Sequence, residues 1–148
     1  MMLARLRFTL TEVRVPDLSV LERRGLEWVL SFAAAGALVG HGAFGLFMHQ
    51  TAWYHYFAAL GIAPMTVDRL ELIPLVGAFE IALGLLLFVR PVPAGLLLAF
   101  AWKSGTELLR PLTGEPGFEF VERASNILAP LALIYLRGVP RSLRGWFS

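Results

Sequence analysis

Cysteine is absent from this chain of 148 residues. That absence excludes disulfides, thiolate metal sites, iron–sulfur clusters and a CxxC redox pair. Charge is scarce too: Asp, Glu, Lys and Arg make up 16% of the residues, against about a quarter in soluble domains. Lysine is almost missing. Of the 13 basic residues all but Lys103 are arginine. Most of them lie near the chain ends and form no concentrated basic face, which argues against nucleic-acid binding. The net charge is only +2, although the pI is about 9.5. The first thirty residues lack a signal peptide's order of basic region, apolar core and small-residue cleavage site. Insertion into a membrane would then use the first spanning helix itself. Nothing resembles a hydrolase triad, a phosphate loop or a zinc-protease helix.

What the chain has in plenty is apolar surface. The apolar fraction is 57% and the mean hydropathy +0.65, which points to an integral membrane protein. A span needs about 20 apolar residues. Four segments meet that length, at about 27–49, 70–89, 92–110 and 118–136. They predict an all-α, four-transmembrane-helix bundle over 27–138. It is preceded by an N-terminal arm (1–26) and followed by a basic, aromatic tail (139–148). Between the first two spans, "TAWYHYFAALGIAPMTVDR" predicts a short amphipathic helix from Thr51 to about Leu60. Trp53, Tyr54, Tyr56 and Phe57 suit the membrane interface, and Gly61 and Pro64 end the helix. "RPVP" joins the second and third spans as a hairpin. The arm reads as a solvated or interfacial tail or a partner-docking strand. Ser19 and Glu22 have capping-box spacing, so a helix starts there and runs into the first span. Nine arginines (Arg5, Arg7, Arg14, Arg23, Arg24, Arg90, Arg137, Arg141, Arg144) fall on one side of the four spans. Arg69 and Arg110 fall on the other. The positive-inside rule then makes both termini cytoplasmic.

Ionisable residues inside a bilayer are costly and usually face a bundle interior or a cavity. Here they are His41, Glu80, Lys103, Glu107, Glu122 and Arg123, with Asn126 beside them. At the helical rise of 1.5 Å they lie roughly 5 to 15 Å below the outer ends of the spans. One shared polar pocket in the outer half of the bundle explains that common depth. Lys103 and Glu107, and Glu119 and Arg123, are i, i+4 pairs. Gly77, Glu80 and Gly84 share a face, as do His41, Gly45 and His49, and Gly36 and Gly40 form a GxxxG. Two readings of the cluster stand side by side. One is a structural ion-pair network that holds the bundle. The other is a ligand-binding or proton-handling site with His41 and Glu80 as the catalytic pair. Haem is disfavoured, because only His55 is left to face His41 or His49. A His41–Glu80 metal site has weak support, so no metal is assigned.

"GHGAFGLFMHQTAWYHYFAALGI" followed by "VGAFEIALGLLL" resembles the DoxX-like family of small four-helix membrane proteins. The shared pattern is a Gly-rich first span with a polar residue, here His41, then an aromatic amphipathic segment, then a Glu within a Gly-flanked apolar run, here Glu80. The resemblance spans about Gly36 to Gly138. It implies a bundle in the bacterial inner membrane, associated with redox systems and quinone chemistry. Some redox relatives carry cysteines, and this chain has none. The expectations are thus an accessory subunit of a membrane redox complex with protein partners, or a small quinone- or lipid-binding oxidoreductase subunit. A transporter is more remote.

Overall fold

The computed structural model describes residues 18–48 and 51–148. The possible strand of the arm, Arg5, Arg7, Arg14 and His49 lie outside those residues. The described chain is all-α, in the order α1 (Val20–Met48), α2 (Ala52–Ala59), α3 (Pro64–Arg69), α4 (Leu72–Val89), α5 (Pro93–Leu112), α6 (Gly117–Glu122), α7 (Ala124–Arg137) and α8 (Leu143–Trp146).

The start of α1 is fixed by a closed capping box. The Ser19 backbone and hydroxyl both donate to the Glu22 carboxylate, at 2.9 and 2.7 Å, and the Glu22 amide donates back to Ser19 Oγ at 3.3 Å. This reciprocal pairing satisfies otherwise orphaned donors of the first turn.

α1 packs chiefly on α4, and α5 on α7. The α1–α4 contact is built from glycine. A Cβ on Gly77 would lie 2.5 Å from both the Gly42 carbonyl oxygen and the Leu46 nitrogen. One on Gly84 would lie 2.9 Å from the Ala35 carbonyl oxygen. The GxxxG glycines take no part, since a Cβ at Gly36 or Gly40 meets nothing within 4 Å. The hairpin arms α4 and α5 meet mainly through long side chains, with the Trp102 indole reaching Glu80 and packing edge to face on Phe79. Leu38, Leu83, Leu87, Leu96, Ala99, Leu133 and Ile134 form the apolar core where α1, α4, α5 and α7 meet.

Two of the four expected spans are long and apolar enough to cross a membrane, α1 and α4. The third segment, α5, has the length but carries Lys103, Glu107 and Arg110 within its 20 residues. The fourth is divided at Arg123 into helices of six and 14 residues. At the break the Arg123 guanidinium donates to the Glu119 carbonyl at 3.1 Å, the acceptor that a continuous helix would offer to the Arg123 amide.

The segment between the first two long helices also differs from expectation. Trp53, Tyr56 and Phe57 do not face outward. They are buried with Val67 and Ile73 in a second small core. α2 and α3 thus form a lid over one end of the bundle. Gly61, at φ +79°, supplies the left-handed turn between them at no steric cost.

Candidate functional site

The lid covers a charged network. Its central side chains are Glu80 of α4 and Lys103 and Glu107 of α5, each no more than 1% exposed. His41 of α1 reaches in beside them, with its side chain 25% exposed. The small residues Gly42, Gly45 and Gly77 let α1 and α4 approach closely enough for His41 Nδ1 to lie 3.1 Å from Glu80 Oε2. The other ring nitrogen, Nε2, is 3.8 Å from Glu107 Oε1. A neutral imidazole has one N–H and can serve one of these carboxylates, whereas the imidazolium serves both.

Every carboxylate oxygen at the centre has a cationic or N–H neighbour. Glu80 Oε1 accepts from the Trp102 indole at 2.8 Å and lies 3.9 Å from Lys103 Nζ. Glu107 Oε1 is 3.0 Å from Lys103 Nζ. That contact is close but misaligned, and neither atom makes a well-formed hydrogen bond among the described residues. Glu107 Oε2 accepts from Arg110 Nε at 2.8 Å and has Arg123 Nε at 3.6 Å.

From there the network runs outward to the loop between α5 and α6. Arg110 Nη1 donates to Glu115 at 2.7 Å, and Tyr56 of the lid donates to the same carboxylate at 2.6 Å. Glu119 lies 3.6 Å from Arg110 and 3.5 Å from Arg123. Burial pushes the Glu115 carboxyl up, but the hydrogen bonds from Tyr56 and Arg110 outweigh it and hold the group below the usual carboxylate range. Burial and the bond to Glu115 push the Tyr56 phenol up. Glu80, Glu107, Glu115 and Glu119 thus meet Lys103, Arg110 and Arg123 in one connected network.

Of the residues singled out from sequence, the structure brings together His41, Glu80, Lys103, Glu107 and Arg123. Glu122 stays at the rim, with a side chain 74% exposed and 3.9 Å from Arg123. Asn126 is half-buried on the first turn of α7 and makes no side-chain hydrogen bond among the described residues. Arg110, Glu115 and Tyr56 belong to the network but escaped the sequence reading. The i, i+3 spacing of Glu107 and Arg110 carries a signal for the first. Nothing local links Tyr56 to Glu115, which are 59 positions apart. Among the described residues, no three His, Asp or Glu side chains converge as metal ligands.

No known protein family, curated protein or solved structure matches the chain. Any functional reading therefore stands on its residues and their geometry.

Proposed function

We propose that the chain is a multi-pass protein of the bacterial inner membrane, similar to DoxX-like proteins, that serves as an accessory subunit of a membrane complex, with redox assemblies the favoured class. In this reading α1, α4, α5 and the bent pair α6–α7 cross the bilayer, both termini are cytoplasmic, and the charged network locks the helices in register. An inside-out distribution of side chains supports the membrane part. Phe32, Phe47, Leu75, Leu85, Leu86 and Val89 lie exposed on α1 and α4, while Glu80, Lys103 and Glu107 are buried. Only a third of the most apolar stretch of α1 and of α4 is buried. A core helix of a soluble domain would bury most of it. Lipid is as apolar as leucine, so such surface is at rest in a bilayer.

The observation that carries the accessory role is mutual charge pairing inside the bundle. Glu80 is held by His41 and Trp102, and Glu107 lies between Lys103 and Arg110, so the buried carboxylates are matched by side chains of the protein itself. Two measurements test the proposal. The chain should stay in the membrane pellet after alkaline carbonate extraction, and purification in mild detergent should recover a stoichiometric larger partner. Release by carbonate refutes the membrane assignment. A lone monodisperse protein refutes the accessory role.

One observation favours a second reading, a site for a quinone or similar amphipathic molecule. An apolar groove of about 260 Å³ between the lid and the bundle is lined by Phe57, Leu72, Leu75, Val76, Phe79 and Trp102. Trp102 is the residue whose indole holds Glu80, so the groove lies one side chain from the network. A short-chain quinone bound there should quench tryptophan fluorescence, with the quenching lost in Trp102→Phe. Equal quenching in both proteins removes this reading.

A further inference from the structure

The opposite end of the bundle holds a separate cleft. It has a volume of about 370 Å³, and its polar lining is Arg24, Glu27 and Ser31 of α1 with Arg137 of α7. Trp28 and Phe88, edge to face at 6.0 Å, form its apolar wall. Ser31 precedes His41 on α1 by about 15 Å at the helical rise, so this cleft is not part of the charged network.

Three features point to an occupant. First, Ser31 lines the cleft, and its hydroxyl makes no side-chain hydrogen bond among the described residues, so it is free to donate to an occupant. Second, the cleft carries a surplus cation. Glu27 lies 3.5 Å from Arg137 and 3.7 Å from Arg23, while Arg24 meets no carboxylate among the described residues. Arg137 also donates to the Pro91 carbonyl at 2.8 Å, which fixes its guanidinium at the mouth. Third, an apolar groove of about 220 Å³ on the α1–α4 seam adjoins the cleft, and Phe88 lines both. The floor of that groove is Ala35, Gly36 and Gly84. It runs past Val39, about 12 Å beyond Ser31 along the helix.

A polar cleft with surplus positive charge beside an open apolar groove suits one lipid molecule. We propose that this end of the bundle binds a single anionic glycerophospholipid. Its phosphate diester sits between Arg24 and Arg137, Ser31 donates to an ester or phosphate oxygen, and one acyl chain lies in the α1–α4 groove. The proposal rests on the membrane reading above, which turns this arginine-rich end toward the anionic cytoplasmic leaflet.

The test uses the full chain in detergent micelles, titrated with phosphatidylglycerol, phosphatidylcholine and glycerol 3-phosphate, with bound molecules counted by native mass spectrometry. The wild type should hold one phosphatidylglycerol, about fivefold more tightly than phosphatidylcholine, from one surplus cation near the phosphate. Arg24→Gln should erase that preference. Gly36→Leu should weaken both lipids, because its side chain enters the groove while its Cβ meets no other atom of the protein within 4 Å. Glycerol 3-phosphate at equal concentration should displace neither. Equal binding of the two lipids, a preference that survives Arg24→Gln, or full lipid retention by Gly36→Leu overturns the proposal. Displacement by glycerol 3-phosphate also overturns it, in favour of a free-phosphate site. A chain that carbonate releases from membranes fails the membrane reading instead, a distinct outcome.

Discussion

Replacing Glu107 by glutamine keeps the shape of the side chain and removes one charge at the centre of the network. The cost follows from who loses a partner. Arg110 and Arg123 have side chains 15% and 28% exposed and retain Glu115 and Glu119, so solvent and the loop carboxylates absorb their loss. Lys103 cannot recover in that way. It is 1% exposed, and without Glu107 at 3.0 Å its remaining carboxylate is Glu80 at 3.9 Å. Removing one member of a buried ion pair destabilises by about 3–5 kcal/mol, mostly through the charge left behind. Glu107→Gln should therefore lower the unfolding free energy by that amount, read from SDS titration of the micelle-bound protein by far-UV circular dichroism. The double variant Lys103→Met/Glu107→Gln removes the orphaned charge and should regain at least ~2 kcal/mol over the single one. A loss below ~1 kcal/mol for Glu107→Gln, the size of an exposed pair, would refute the reasoning. So would a double variant no more stable than the single.

Four further outcomes are expected. Gly77→Ala puts a methyl against backbone atoms that cannot move aside and should cost about 1–3 kcal/mol. Gly40→Ala, with open space around its Cβ, should be neutral or stabilising by up to ~1 kcal/mol, and the same SDS titration compares the two. Glu115 titrates below its ordinary value when folded, so its contribution is present above the ordinary carboxylate range and is lost as pH falls through the folded value. Tyr56→Phe removes one of the bonds that hold it low and should move the acid-unfolding midpoint to higher pH; an unmoved midpoint contradicts the assignment. Trp102→Phe deletes the indole donor to Glu80 and should destabilise by ~1.5–3 kcal/mol, as for a hydrogen bond to a charged group. Denaturant midpoints with and without the substitution check it.

Much of the site was legible in the sequence because polar residues in apolar helices have few places to go. The shared depth of His41, Glu80, Lys103 and Glu107 was visible from helical rise alone, and their convergence in the structure has that geometry. The capping box at Ser19 was legible for the same local reason. What escaped depends on side chains meeting across long separations. Trp53, Tyr56 and Phe57 read as interfacial because aromatic rings suit both a membrane surface and a core, and only the docking of α2 on the network decides between them. The break at Arg123 was hidden because hydropathy sums side-chain polarity and carries no backbone geometry. The glycine faces of Gly77 with Gly84 and of Gly45 were legible beside Glu80 and His41, and they make the contact, whereas the GxxxG glycines do not.

The division of the bundle into two helix pairs has a consequence for how the chain is made. α1 and α4 close on each other through their glycines, and they are synthesised first. At that stage Glu80 has His41 beside it but neither Trp102 nor Lys103, both of which arrive with α5. Glu107 in turn finds Arg123 only when the chain has passed α6. The first half cannot match the charge of Glu80 alone, so the cost of an unmatched ion is carried until α5 docks. The network therefore couples the two pairs into one cooperative unit, and a chain cut short after α4 is left holding a carboxylate that has lost most of its partners.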